Sequence, residues 1–309
     1  MGVMAVAQRA HGRTFGVIAV AVISAITLGV SVAGRAGAQT DGSWQAAPKA
    51  VVQAVTAIPP AVSNAVGLEP STTAPVVLHS QPALKYGKKP GVFYMSAEPC
   101  PLCAAERWAF IAATSRFGQW SKLGTAQSTS DDVYPNTQTF TFARASFSSP
   151  YIAVHTKEVL SSRKLADGKF APLQPMSKQE QALFDRYDTA DYFPDYAGSF
   201  PFIDFGNKVA VAGPSYEPGL LAGLSREQIA ADLTDPTKPT TKAIVGTANY
   251  LAAAICAIDG QQPASVCKSP GVTKASQFAD VGTGSGGACA PVTKKQQPVC
   301  AATDSSGKG

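Results

Sequence analysis

Two cysteines separated by two residues are the groups in this chain best suited to chemistry. Cys100 and Cys103 enclose Pro101 and Leu102. A proline at the first helical position costs no hydrogen bond, so Cys100 is predicted to be the N-cap residue of the helix that follows. There its sulfur would face unpaired N–H groups and the positive end of the helix dipole, which lower the pKa of a thiol and raise its nucleophilicity. Cys103 lies one turn further on, where it can close a small disulfide with Cys100 or resolve a mixed disulfide formed there.

Hydrophobic periodicity predicts a strand before this pair and a helix through it. Residues 92–95 are a short run of β-branched and aromatic side chains, which indicates a buried strand. In residues 101–117 apolar side chains recur at helical spacing, with Glu106 and Arg107 on the other faces. The sequence therefore predicts a strand, a two-cysteine turn and an amphipathic helix in immediate succession.

A proline-led hairpin is predicted about a hundred residues downstream. Two strand-like runs, at 202–205 and 208–211, are separated by Gly206 and Asn207, which are typical of a tight hairpin turn. Pro201 stands at the first residue of this hairpin. A proline cannot donate to the hydrogen-bond ladder, so it belongs at a strand start, and a cis peptide bond is compatible with that place.

The segment between the helix and this hairpin has mixed patterns. Strand-like runs occur at 123–128, 137–142 and 151–159. We interpret the last two runs as an added hairpin. Ser177 and Glu180 form a capping box that opens a helix to about Tyr187. An aromatic and acidic loop follows at 187–196, and its rings either pack over the sheet or rim the cysteine site.

Composition and motifs exclude several classes of function. The chain has 309 residues, of which 45% are apolar and 15% charged, and its net charge of +5 does not suggest nucleic-acid binding. G-x-S-x-G and H-E-x-x-H are absent, and His79 and His155 have no motif partners. The apolar run at 240–258 contains Lys242 and Asn249, which favours a buried core helix over a membrane span.

Residues 1–38 are predicted to be an N-terminal membrane anchor or a signal peptide. Arg9 and Arg13 precede an uncharged run of about twenty residues, long enough to span a bilayer. The length favours an uncleaved anchor, whereas the small residues that end at Ala38 resemble a cleavage site. The expected location is the cell membrane with the domain outside the cytoplasm, or secreted if the leader is cleaved near Ala38.

The remainder divides by composition into three parts. Residues 39–84 are rich in Ala, Pro, Ser and Thr and are predicted to be a linker, with one short helix near 46–57. Residues 85–267 are predicted to form the folded domain. Residues 268–309 are rich in Gly, Ser, Lys and Pro and are predicted to be a low-order tail.

Four further cysteines have the pattern of structural disulfides. Cys256 and Cys267 are eleven residues apart, as are Cys289 and Cys300, so two local pairs are the simplest pairing in an exported chain. A zinc site is not favoured, because the chain has three histidines and no second C-x-x-C. No metal is expected.

The order of these elements resembles the thioredoxin-like superfamily. More closely, residues 98–108 and 200–207 are similar to an uncharacterised thioredoxin-like family of archaeal and actinobacterial membrane proteins, named only as a domain of unknown function. The resemblance covers residues 83–267. It implies an α/β fold with a mixed sheet flanked by helices, and a hairpin and helix inserted between the C-x-x-C helix and the proline hairpin.

The resemblance also implies roles for individual residues. Cys100 would be the attacking thiol and Cys103 the buried resolving thiol. Pro201 would shape the substrate groove, and the backbone of Phe200 would pair with an extended peptide.

The chain departs from the thioredoxin pattern around the cysteines. Tyr94 stands where thioredoxins carry a buried aspartate, and Pro99 replaces the aromatic residue before the first cysteine. Leu102 supplies no cation for a thiolate, and Glu98 would oppose one. Glu98 and Pro99 are predicted to adjoin the substrate groove.

These inferences predict an extracytoplasmic thiol:disulfide oxidoreductase. It would exchange disulfides with cysteines of exported proteins, need no cofactor and, by analogy, depend on a membrane redox partner to reset it. The alternative is a non-catalytic binding or structural module of the cell envelope, in which the disulfides are inert.

Overall fold

The structure is a computed structural model that describes residues 44–69, 71–78 and 81–279. Its helices are α1 (Lys49–Thr56), α2 (Pro60–Val66), α3 (Pro101–Thr114), α4 (Lys178–Tyr187), α5 (Arg226–Asp232), α6 (Pro239–Ile258), α7 (Ala264–Cys267) and α8 (Pro270–Phe278), with a 3₁₀ helix at Pro218–Leu221. Its strands are β1 (Val76–Val77), β2 (Lys85–Tyr86), β3 (Lys89–Ser96), β4 (Gln119–Ser121), β5 (Gly124–Gln127), β6 (Gln138–Thr141), β7 (Ser146–Ser148), β8 (Ala153–Glu158), β9 (Leu160–Lys164), β10 (Phe170–Pro172), β11 (Phe202–Phe205) and β12 (Val209–Ala212).

A six-stranded mixed sheet forms the centre of the fold. On one side of β3 the order is β11, β12 and β1, all antiparallel to their neighbours. On the other side β3 pairs with β2 at its start and with β8, in parallel, from Gly91 opposite Ala153 to Ser96 opposite Glu158. Helices cover both faces. The expected mixed sheet flanked by helices, with an insertion after the C-x-x-C helix, is confirmed.

Strand β3 is apolar throughout its second half because both faces of the sheet are covered. Val92 and Tyr94 belong to the core on the side of α3 and α6, whereas Phe93 and Met95 belong to a second core that includes residues of α4. Alternate residues of a strand point to opposite faces, so a strand covered on both sides requires an uninterrupted apolar run.

Helix α3 is buried on every side, which differs from the predicted amphipathic helix. All its residues except Leu102 are buried, including Glu106 and Arg107, each 0% exposed. The helix packs against α1, α6, β6 and the 3₁₀ helix, so no face is left for solvent. Its two charged residues are therefore held by partners inside the protein.

Helix α6 is a core helix, as predicted. Among the described residues it is the single helix that is long and apolar enough to cross a membrane. Of its most apolar stretch, 83% is buried within the protein. Lys242, near its start, is exposed, and Asn249 is buried and donates to carbonyl groups of α2 and the residue after it.

The insertion between α3 and β11 contains three two-stranded sheets and α4. The sheets pair β4 with β7, β5 with β6, and β9 with β10. The predicted hairpin between 137–142 and 151–159 is wrong, because β6 pairs with β5, whereas β8 joins the main sheet beside β3. The capping box of α4 is confirmed, with Ser177 and Glu180 bonding each other's backbone N–H groups.

The predicted linker at 39–84 is folded wherever the structure describes it. Residues 49–56 and 60–66 are helical, and Val51 and Val55 of α1 are buried in the core beside α3. Valines four residues apart on one helix face account for this packing, and the low charge of the segment reflects burial. Since β1 is a strand of the main sheet, the folded unit begins before residue 85.

The predicted tail also begins with a folded element. Helix α8 buries Val272 and Ala275 against α6. Residues 1–43 and 280–309 lie outside the described residues. The predictions of an anchor or signal peptide and of a Cys289–Cys300 pair fall there.

Candidate functional site

The cysteine pair sits at the N-terminus of α3, as the sequence predicts. Cys100 is the N-cap residue and Pro101 occupies the first helical position. The Cys100 sulfur accepts a hydrogen bond from the backbone N–H of Cys103 at 3.2 Å. Both cysteines are free, with Cys100 half-buried and Cys103 completely buried. One sulfur is therefore accessible and supported by the helix end, and the other lies behind it.

The two thiols differ in acidity in the direction that thiol exchange requires. The hydrogen bond from the Cys103 thiol, the N–H groups of Cys103 and Leu102 and the charge of Arg107 together lower the pKa of Cys100, against the opposing effect of burial. Burial raises the pKa of the Cys103 thiol, and its bond to the Cys100 sulfur adds to that effect. Cys100 is the better nucleophile of the pair, since the thiolate is the reactive form.

The turn that precedes β11 approaches the Cys100 sulfur. Pro201 is buried, directly precedes β11 and follows Phe200 through a cis peptide bond. Phe202 lies opposite Met95, so this turn and the cysteines share one end of the sheet. The Cys100 sulfur is 3.7 Å from the carbonyl oxygen of Phe200, which accepts from the thiol.

The two residues before Cys100 connect it to the insertion. The Pro99 carbonyl accepts from the backbone N–H of Thr129 at 2.8 Å. The Glu98 carboxylate accepts from the Thr141 hydroxyl at 2.7 Å and from the Ser162 N–H at 3.0 Å. Burial raises the pKa of Glu98. Its side chain is thus bonded to β6 and β9, and it fixes the turn that carries Cys100.

A buried ion pair lies behind the cysteines. Arg107 Nε donates to Glu158 Oε1 at 2.9 Å and Arg107 Nη2 to Glu158 Oε2 at 2.6 Å, and both side chains are 0% exposed. Ser96 Oγ and the Phe142 N–H donate to the same carboxylate, at 2.8 and 3.0 Å. These bonds connect α3 with the ends of β3 and β8.

Glu106 is a second buried charge on α3, with a different partner. Its carboxylate accepts from the backbone N–H of Ser215 at 2.9 Å and from the Ser215 hydroxyl at 3.0 Å. Burial raises its pKa from 4.5 to about 7, although the two hydrogen bonds act in the opposite direction. Glu106 holds the segment after β12 against α3.

The second described cysteine pair is a disulfide. Cys256 and Cys267 are bonded, with their Cα atoms 5.6 Å apart, which confirms the predicted local pairing. Asp259 lies close to both sulfurs. Sulfurs bonded to each other are not thiolates, however, and metal ions bind thiolates, so this cluster does not form a metal centre.

The structure brings together most of the predicted site residues and adds two that sequence reasoning missed. Cys100, Cys103, Phe200 and Pro201 meet at one end of the sheet, with Pro99 and Glu98 in the adjoining turn. Arg107 and Glu158 were not singled out. The position of Arg107, four residues after Cys103, places both on one helix face and could have indicated it. Glu158 follows a long insertion and has no local sequence signal.

The fold and the site together define a mixed α/β protein with a free cysteine pair at a helix N-terminus. Residues 76–257 match the model of a family described as Domain of unknown function (DUF929). The chain belongs to that family. No curated protein and no solved structure matches the chain.

Proposed function

We propose that the chain is an extracytoplasmic thiol:disulfide oxidoreductase with a thioredoxin-like fold. The observation that carries the proposal is the difference between the two free cysteines. Cys100 is accessible, sits at a helix N-cap and accepts the Cys103 N–H at 3.2 Å, whereas Cys103 is buried directly behind it. An exposed low-pKa thiol with a neighbouring resolving thiol is the arrangement that disulfide exchange needs.

The strand order supports the thioredoxin-like part of the proposal. β3 leads into the cysteine helix α3 and pairs in parallel with β8, and the proline-led hairpin of β11 and β12 continues the sheet antiparallel to β3. Pro201 precedes β11 beside the cysteines. A client peptide lying along this turn would offer its disulfide to Cys100.

The exchange proceeds in two balanced steps. The Cys100 thiolate attacks one sulfur of a client disulfide, so that the client S–S bond breaks, a Cys100–client S–S bond forms and the other client sulfur leaves as a thiolate. The Cys103 thiolate then attacks the Cys100 sulfur, which releases the second client thiolate and leaves a Cys100–Cys103 disulfide. The client gains two electrons and the chain loses two. The reverse sequence oxidises a client dithiol.

The Cys256–Cys267 disulfide supports the proposal that the domain is exported. Disulfides of this kind form and persist in oxidising compartments outside the cytoplasm. The proposed location is the membrane, through residues 1–38, or the extracellular space if that segment is removed. Exported cysteine-containing proteins are the proposed clients, and a membrane redox partner is proposed to reset the pair.

A redox titration of the full chain tests this function. The chain is equilibrated in glutathione buffers, and each cysteine pair is followed by thiol alkylation and mass spectrometry. We expect Cys100 and Cys103 to equilibrate with the buffer while Cys256 and Cys267 stay bonded, because exposure and thiolate character control exchange. If both pairs resist reduction together and release thiols only on unfolding, the chain is instead a disulfide-stapled binding or structural module.

A further inference from the structure

A buried arginine and the N-cap cysteine bond the same backbone carbonyl group. Arg107 lies four residues after Cys103 on α3, so the two side chains occupy one helix face, and both are 0% exposed. Arg107 Nη2 donates to the carbonyl oxygen of Ala97 at 2.8 Å, and the same oxygen accepts from the backbone N–H of Cys100 at 3.2 Å. The positive charge is therefore held next to the cysteine pair.

The guanidinium is fixed more firmly than a cation at the surface would be. Glu158 binds it through both carboxylate oxygens, and Ser96 and Phe142 hold that carboxylate in turn. In the part of the chain that the structure describes, the remaining nitrogen, Nη1, is buried and has no hydrogen-bond partner. A buried donor without an acceptor calls for an explanation, and attraction to a neighbouring anion is one.

Thiol exchange places an anion at each sulfur in turn. Cys100 must be a thiolate to attack, and Cys103 must become one to resolve the mixed disulfide although burial disfavours its charged form. Leu102 offers no cation between them, and Tyr94 occupies the strand position from which thioredoxins present a carboxylate. The charge of Arg107 lowers the pKa of Cys100 and opposes the rise that burial causes in the pKa of Cys103.

We propose that Arg107, fixed by Glu158, is the positioning residue that stabilises the thiolates of Cys100 and Cys103 during exchange. This inference rests on the proposed function and names the group that drives its chemistry. The charge comes from the helix behind the cysteines.

The test compares a double variant that lacks the Arg107–Glu158 ion pair with a control variant that lacks a different buried charge of α3. Arg107→Gln combined with Glu158→Gln removes both charges without leaving a buried ion unpaired. Glu106→Gln removes the neighbouring buried charge of α3, which binds Ser215. The alkylation rate of Cys100 in the reduced full chain is measured against pH. The other titratable groups near Cys100, Cys103 and Arg107 are Tyr94 on β3, Glu98 before α3, Glu106 on α3 and Glu158 on β8.

We expect the alkylation midpoint of the double variant to lie about one pH unit higher, so that its reactive thiolate is about tenfold scarcer at pH values below the wild-type midpoint. Its disulfide should become about tenfold more stable against glutathione, a potential about 30 mV more negative. Glu106→Gln should react like the wild type, and Arg107→Lys, which keeps the charge, should retain most of the rate. A folded double variant with an unchanged rate and potential overturns the proposal.

A measurement on the unmodified chain decides the matter if the double variant does not fold. The ¹⁵N resonance of Arg107 Nε should shift as the cysteines ionise, with the midpoint found for Cys100 alkylation. A resonance that stays constant through that midpoint overturns the proposal. The proposed function fails in a different way, by a wild-type chain that does not reduce a disulfide-containing peptide, so the two failures are distinguishable.

Discussion

The two described cysteine pairs occupy opposite kinds of helix terminus. Cys100 caps the N-terminus of α3, where free N–H groups and the positive end of the dipole favour a thiolate. Cys256 lies in the last turn of α6, at the negative end of its helix, where a thiolate is disfavoured. The first pair is free and the second is a disulfide. The position of a cysteine on its helix thus distinguishes the free pair from the bonded one.

The pairs also differ in loop length and exposure. A disulfide across eleven residues, as between Cys256 and Cys267, removes chain entropy worth roughly 3 kcal/mol from the unfolded state, whereas a two-residue bridge removes far less. Both cysteines of the longer pair are buried, whereas Cys100 is only partly buried. We therefore expect the longer bridge to stabilise the fold and the shorter pair to exchange disulfides.

Substitution of the exposed sulfur is the strongest test of this comparison. Cys100→Ser should reduce exchange with a disulfide-containing peptide by at least about a thousandfold, as loss of the attacking group does in other covalent catalysts. Its melting temperature should stay close to that of the wild type, because no stabilising bond is lost. Peptide reduction followed by mass spectrometry gives the rate. If activity survives in Cys100→Ser and disappears in Cys256→Ser, the Cys256–Cys267 pair, and not the Cys100–Cys103 pair, carries out the exchange.

Substitution of the buried sulfur should separate the two steps of exchange. Cys103→Ser retains the attacking thiol and loses the resolving one, so a mixed disulfide should accumulate to about one equivalent per chain. Intact-mass analysis under non-reducing conditions detects the adduct, and digestion places it at Cys100. Cys100→Ser is the control and should form none. An adduct at Cys103 in that control would show that the buried thiol attacks on its own.

Removal of the second pair should affect stability alone. Cys256→Ser combined with Cys267→Ser should lower the free energy of unfolding by about 2–4 kcal/mol, the usual contribution of a native disulfide. The Cys100 alkylation rate should not change, because no contact of that site is altered. Denaturant unfolding measures the first quantity and alkylation kinetics the second. A variant that keeps its stability would show that this bridge does not stabilise the fold.

Local patterns identified the core elements of the fold because each depends on short stretches of sequence. The strand before Cys100, the helix after it, the hairpin at Pro201 and the core helix α6 are all predicted from periodicity, turn residues and caps. The partner of β8 was predicted wrongly. Its pairing with β3 joins distant segments, and periodicity within a strand does not say which strand it will meet. The short helix predicted near 46–57 is present as α1, but its packing in the core and helix α2 were missed, because low charge and many small residues suit a linker and a buried helix equally.

The placement of the free cysteines was predictable from sequence, whereas their electrostatic surroundings were not. Residue spacing and Pro101 were sufficient to place Cys100 at the N-cap. A charged residue such as Arg107 is expected on the exposed face of a helix. Arg107 is buried because it pairs with Glu158, which lies fifty-one residues further along the chain. A charge pair formed across such a separation is visible only once β3 and β8 are known to be neighbours.

The weakest expected effect tests whether a buried charge on α3 influences reactivity or only stability. Burial raises the pKa of Glu106 from 4.5 to about 7, so its contribution to stability is complete below about pH 4.5 and is lost as pH rises through about 7. The loss is on the order of 3 kcal/mol. Glu106→Gln should remove this part of the pH dependence of unfolding. Burial also raises the pKa of Asp204 to about 7, so Asp204 changes the pH dependence of stability in the same direction. The difference between the variant and the wild type therefore isolates the contribution of Glu106. The Cys100 alkylation profile should be identical in both proteins; if it moves, the thiols respond to every charge on α3, and proximity to Arg107 loses its special role.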